Sequence, residues 1–188
     1  PEIETILTGI NALGIKKAYN VYKYCGSQGL SVAISSINKS KQDVINEAVA
    51  FQSGVLYPYA DTWKTTTLKK EDIVYRGFPG PSNFYTAEST MEKCGTDAQK
   101  IFESLQVSTT NEFPNYRGYM VKYEVQEDII VATSKVEANT QWGAGGSIQY
   151  YVRNYESVLK AVDKYELTNI TPKPEYQYNV VKKILDID

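Results

Sequence analysis

Apolar residues recur at Ile3, Ile6, Leu7, Ile10, Leu13 and later Val21, close to the spacing of one helical face. This pattern predicts a helix over residues 1–24 that ends at Cys25-Gly26, where a glycine suits a C-cap. Gly9 and Gly14 weaken its interior. Ser40 before Lys41-Gln42-Asp43 resembles a capping-box start, and Val44, Ile45, Ala48 and Val49 carry an apolar stripe to about Phe51. Residues 52–70 hold Gly54, Pro58 and a threonine-rich stretch, and read as a connector.

The texture changes after residue 70. Ile73-Val74-Tyr75 reads as a strand ending at Arg76-Gly77, and residues 78–83 form a loop of turn formers. Phe84-Tyr85-Thr86 is a short strand. Thr96-Asp97 caps a helix carrying Ala98, Ile101, Phe102 and Leu105. Residues 116–125 alternate through Tyr119, Val121, Tyr123 and Val125, the pattern of a half-buried strand. Ile129-Ile130-Val131-Ala132 is a buried strand. Gly143-Ala144-Gly145-Gly146 is a flexible loop before a strand at 147–152. Residues 155–165 place Val158, Leu159 and Val162 at helical spacing, Pro172 and Pro174 end that region, and a tail carries Val180, Val181, Ile184 and Leu185. Strands dominate 71–152, with helices before, within and after, which makes the fold class α+β.

Composition narrows the chemistry more than the fold. The 188 residues include no histidine. That removes a Ser-His-Asp triad, a Cys-His pair, every histidine-ligated zinc site and imidazole as general base. Basic residues number 20 against 22 acidic, without a basic block, so a nucleic-acid partner is not expected. No run approaches the roughly 20 apolar residues of a membrane span. The first residues show no basic signal-peptide region, and a chain opening on Pro1 reads as part of a longer one. Cys25 and Cys94 allow one disulfide or two separate thiols, and cannot hold a metal by themselves. The 16 tyrosines against 5 phenylalanines suit amphipathic strand faces, or an aromatic cleft or partner surface.

Three features carry candidate chemistry. Arg76 ends a hydrophobic strand and opens a Gly/Pro loop, where a guanidinium can grip a phosphate or carboxylate. Arg117, in Asn115-Tyr116-Arg117-Gly118-Tyr119, begins another strand. The loop Gln141-Trp142-Gly143-Ala144-Gly145-Gly146-Ser147 is neither a Walker loop nor a dinucleotide fingerprint, because no Lys-Ser/Thr and no helix follow. Beyond it, strand alternation puts Ser147, Gln149 and Tyr151 on one face.

Val74-Tyr75-Arg76-Gly77 resembles the first-strand arginine of ADP-ribosyltransferase folds. Tyr116-Arg117-Gly118-Tyr119-Met120-Val121 and Trp142-Gly143-Ala144-Gly145-Gly146-Ser147-Ile148-Gln149-Tyr150 resemble the tuberculosis necrotizing toxin family of secreted NAD glycohydrolases in polymorphic toxin systems. The resemblance covers roughly residues 71–165. It implies an ADP-ribosyltransferase-like mixed or antiparallel β core, with residues 1–65 as a helical N-terminal segment for delivery and 66–188 as the NAD-binding catalytic domain. It makes Gln149 the active-site glutamine and Arg76 the holder of the NAD diphosphate. Arg117, the second implied catalytic residue, falls where some members carry histidine, a departure from them. Phe84, Tyr85, Trp142, Gly145, Gly146 and Ser147 are the implied binding positions, with Tyr85 or Trp142 against a nicotinamide or ribose face. NAD is then substrate, with no further cofactor and no metal.

The implied reaction leaves a ribosyl cation and neutral nicotinamide, so no general acid is obligatory. The protein is then delivered from its producer, acts in the cytoplasm of a target cell, and requires a cognate immunity protein. An ADP-ribosyltransferase would usually show a glutamate at the Gln149 position, often in an E-x-E pair; only Glu2-Ile3-Glu4 has that spacing, far from the loop. Transfer of ADP-ribose to a protein, a non-enzymatic interaction module and a nuclease toxin remain as rival readings.

Overall fold

The structure is a computed structural model and describes residues 13–52 and 61–179. Ile3 to Ile10 of the first expected helix, Gly54 and Pro58 of the connector, and the apolar positions from Val180 onward lie outside the described residues. The order is α1 (Ile15–Gln52), β1 (Lys64–Leu68), β2 (Ile73–Phe78), β3 (Phe84–Ala87), α2 (Glu88–Cys94), α3 (Ala98–Leu105), β4 (Tyr119–Val125), β5 (Ile129–Lys135), β6 (Ile148–Tyr151), α4 (Tyr155–Val158) and β7 (Leu159–Glu166). The seven strands form one antiparallel sheet in the order β1-β5-β6-β3-β2-β4-β7. The fold is α+β, with a helical N-terminal segment on an antiparallel core.

Gly26, at φ 71°, breaks α1 where the sequence predicts an end. The chain then turns straight back into helix, so Ser40 lies mid-helix and is not an N-cap. Val44 and Ala48 of α1 are buried with Trp63, Ala132 of β5 and Tyr151 of β6. Residues 61–65 are thus joined to the sheet as firmly as the residues after them. Asp97 caps α3 as predicted, its carboxylate accepting from Lys100 N at 3.1 Å. Ala98, Ile101 and Phe102 pack that helix on Tyr75 and Met120. On the opposite face, Val74, Tyr85, Val125 and Val131 join Leu68 and Leu159 of the two edge strands in one cluster, so the sheet curls around its own core.

Two elements differ from the sequence expectation. The connector contains β1, which pairs with β5 through Thr65, Thr66 and Thr67. Threonine has high strand propensity but supplies little apolar signal. The helix expected over 155–165 is one turn, followed by β7 along β4. Tyr123 pairs with Ala161 and Lys122 with Asp163, leaving Val162 in a bulge, 47% exposed. A bulge shifts side-chain parity by one residue and so imitates helical spacing.

Ala48 is fully buried between α1 and the sheet. Ala48→Leu should overpack that contact and cost about 1–3 kcal/mol. The measurement is a lower urea midpoint with an unchanged slope; an unchanged midpoint would mean that the helix does not pack there.

Candidate active site

The sheet parts between β2 and β3. These strands pair only at Val74 with Ala87 and Tyr75 with Thr86. Where Arg76 and Tyr85 would pair next, the Arg76 guanidinium intervenes. Its Nη1 donates to Ser82 O at 2.7 Å and to Tyr85 Oη at 2.8 Å, and its Nη2 to Tyr123 Oη at 3.0 Å. The charge lies 4.9–5.3 Å from the ring centres of Tyr85, Tyr123 and Tyr155, a cation–π cage.

A cleft of about 310 Å³ occupies this parting. The ends of α1 and α3 flank it, through Phe51 and Gln52 on one side and Phe102, Leu105 and Gln106 on the other. Tyr75, Thr86 and Gln149 line it as one row of paired positions across three strands, Tyr75 opposite Thr86 and Thr86 opposite Gln149; Ser134, opposite Gln149, continues the row outside the lining. The cleft brings together Arg76, Phe84, Tyr85, Arg117 and Gln149 of the expected site. No carboxylate is found among its described lining residues.

Arg117 reaches this cleft from the segment before β4, its Nη1 donating to Gly77 O at 3.1 Å. Two glycines make room for it. A Cβ on Gly77 would sit 2.9 Å from Arg117 Cδ, and one on Gly80 would sit 3.5 Å from Nη2. Burial, and then the neighbouring Arg76 charge, lower the Arg117 pKa. Guanidinium nonetheless stays protonated, so two like charges share the cleft, and neither is in an ion pair among the described residues. Burial and then Glu88 push the Tyr75 phenol up to about 12. Burial raises Tyr85 further, against the opposing pull of Arg76.

Gln149 Nε2 donates to Ser134 Oγ at 2.9 Å and to Asp61 Oδ2. Asp61 is buried behind Gln149, outside the cleft lining. It also accepts from Gln52 Nε2 and, at 2.9 Å, from Glu137 N. Sequence reasoning missed Asp61, Gln52, Ser134 and Thr86. The partners of Asp61 lie 9, 76 and 88 residues away along the chain, so no local pattern marks it.

The glycine loop is not part of the cleft, which corrects the placement of Trp142, Gly145, Gly146 and Ser147. Trp142 is fully buried, its ring parallel to that of Tyr178 at 6.5 Å. Gly145 N donates to Glu103 O and Ser147 N to Ser104 O. These are carbonyls of the last turn of α3, which have no partner within a helix. Gly146 N donates to Val136 O, and Ser147 Oγ to Ser104 Oγ at 2.7 Å. A Cβ on Gly145 would meet Val136 O at 2.5 Å, so the glycines serve close backbone packing. Cys25 is exposed and Cys94 buried, and both are free thiols. No group of metal-ligating side chains gathers among the described residues, and no described helix is long and apolar enough to cross a membrane.

The family model described as the Rhs1 C-terminal toxin domain matches residues 40–154, a span that holds every cleft residue named above. The solved structure of Rhs1-CT in complex with its cognate immunity protein RhsI1 is 35% identical, with a TM-score of 0.59, over 64% of this chain and 96% of that one. The structure of Tse6 in complex with Tsi6 is 10% identical, with a TM-score of 0.40, over 66% of this chain and 96% of that one, a likeness too slight to place residues. No curated protein matches the chain.

Two guanidiniums in no ion pair, in a cleft with no carboxylate among its described lining residues, suit an anion. Gly77→Ala should press Arg117 out of place and weaken pyrophosphate binding roughly tenfold, the equivalent of about 1.4 kcal/mol. Isothermal titration reads this directly. Unchanged affinity in a folded variant would remove Arg117 from the anion seat.

Proposed function

The chain belongs to the Rhs1 C-terminal toxin domain family, and on that footing we propose that it hydrolyses NAD to nicotinamide and ADP-ribose inside a target cell. The observation that carries the reading is the pairing of Arg76 and Arg117 with Gln149 in one cleft that has no carboxylate in its lining. A dinucleotide brings a diphosphate for the guanidiniums, a ribose for the amide and flat rings for aromatic walls. Phe51 and Phe84 offer those walls, because Trp142 is sealed in the core. The volume is at the lower end of the ~300–1,000 Å³ of ligand pockets. It suits the ribosyl-nicotinamide half, with the remainder along the open side.

Arg117 is the better diphosphate ligand, with one of its five N–H hydrogens bonded to a described residue. Arg76 spends both Nη1 hydrogens on Ser82 and Tyr85 and contributes chiefly charge. The bond that breaks joins nicotinamide nitrogen to ribose C1, and its electron pair leaves with the neutral base. Water bonds to C1 and releases one proton to solvent. Gln149 holds a ribose hydroxyl or the water, so its work is orientation. No lining group has to carry a proton, in keeping with a chain that has no histidine.

The toxin reading brings a partner with it. Rhs1-CT is seen bound to its cognate immunity protein, and a cell that makes an NAD-consuming domain needs the same protection. Entry into the target follows delivery by the longer protein to which such a domain is joined.

Purified protein should consume NAD and release nicotinamide, and Gln149→Ala should slow this about 10²–10³-fold with the fold intact. Wild-type rates in that variant would remove Gln149 from the site. Labelled protein bands in a cell lysate given labelled NAD would replace hydrolysis by transfer. The titratable side chains of the cleft are two high-pKa phenols and two guanidiniums. Turnover should therefore vary less than about threefold between pH 6 and 9. A steep limb inside that window would point to a proton-carrying group that this mechanism lacks.

A further inference from the structure

Gln149 is an amide with two different ends, and the reaction can use only the end that faces the cleft. Both Nε2 hydrogens are taken, one by Asp61 Oδ2 and one by Ser134 Oγ. Oε1 bonds to no described residue and is not among the buried atoms left without a partner. Of the two partners, Ser134 does not fix the amide, because a hydroxyl can donate as readily as accept. Asp61 does, because both its oxygens accept, Oδ1 from Glu137 N and Oδ2 from the Nε2 of Gln52 and Gln149.

We propose that Asp61 is the positioning residue of the site: it holds the Gln149 amide with the nitrogen inward, so that the carbonyl oxygen is the group presented to ribose hydroxyl or water. This rests on the NAD reading for its chemistry, though the orientation itself does not. Asp61 is held in turn from two further directions, by Gln52 Nε2 at the end of α1 and by Glu137 N after β5. Gln52 is itself fixed, its Oε1 accepting from Trp63 Nε1 at 2.9 Å and from Asp61 N at 3.2 Å. The N-terminal helix thereby reaches the reacting end of the cleft without supplying a reacting group. Gln149 acts as an acceptor, and its NH₂ takes no part in the chemistry.

The polarity of the contact can be reversed. In Asp61→Asn the new amide can donate to Gln149, so the Gln149 carbonyl turns inward and its NH₂ faces the cleft. In Asp61→Asn with Gln149→Glu, the asparagine donates inward and the glutamate again presents an acceptor oxygen. The full chain carrying D61N should lose about 10²-fold in kcat, with KM for NAD within about threefold. The D61N/Q149E pair should recover at least tenfold of that loss, although Q149E alone places two carboxylates in contact and is impaired. Wild-type kcat in folded D61N, or no recovery in the folded pair, would overturn the proposal.

A second measurement depends on neither variant folding nor NAD turnover. Nitrogen-15 NMR of the wild-type side-chain amides should show Gln149 with two distinct NH₂ protons, both slow to exchange with solvent. A solvent-averaged Gln149 NH₂ signal would equally overturn it. If wild type leaves NAD untouched but those protons are protected, the substrate reading fails and the positioning role stands.

Discussion

The structure turns on how short the ladder between β2 and β3 is. Two paired positions hold the middle of a seven-stranded sheet together. Beyond Tyr75 the side chain of Arg76 takes over from backbone pairing, giving Ser82 O and Tyr85 Oη their donors. Three tyrosine rings shelter the charge there, which offsets part of the desolvation that a buried guanidinium otherwise suffers. The Arg76 Nε is buried with no partner among the described residues, a sign that the position is not optimised for stability alone. Residues from the ends of α1 and α3 line the cleft at this gap.

Electrostatics and packing push in opposite directions at this gap. Arg117 lies against Gly77 and Gly80, close enough to Arg76 to feel its charge. Two cations in a partly buried cleft repel each other, and nothing in its lining neutralises them. On the proposed reading, an anionic substrate in the cleft would relieve that repulsion. Other charges are paired across elements, as in the Arg153–Glu47 and Lys173–Glu103 pairs.

The parts of this arrangement that sequence made legible are those with a short period. β2, β3, β4 and β5 alternate or run apolar, and α3 has both a cap and an apolar stripe. Arg76, Arg117 and Gln149 were legible because each adjoins a glycine-rich turn or lies on an alternating strand. β1 was hidden because threonines fill it, and β7 because a bulge at Val162 breaks its parity. The glycine loop misled for a different reason. Backbone amides crowded by glycine suit a phosphate, and equally the bare carbonyls at the end of a helix; here α3 claims them. Asp61 left no local trace, because its three partners come from a helix end, a loop and a strand.

The missing histidine also looks different once Asp61 is in place. In a catalytic triad a buried acid orients an imidazole, and the imidazole then moves a proton. Behind Gln149 a buried acid orients an amide, which has no proton to trade near neutral pH. The same structural device therefore delivers alignment without acid–base capacity. Such a site serves a bond whose leaving group departs neutral, and is poorly suited to one that needs a proton delivered. An acid set behind a neutral amide, with two cations lining the same cleft, is the arrangement on which the proposed cleavage at a ribosyl carbon rests. On the proposed NAD reading, histidine is dispensable in this cleft because that reaction asks for alignment and charge.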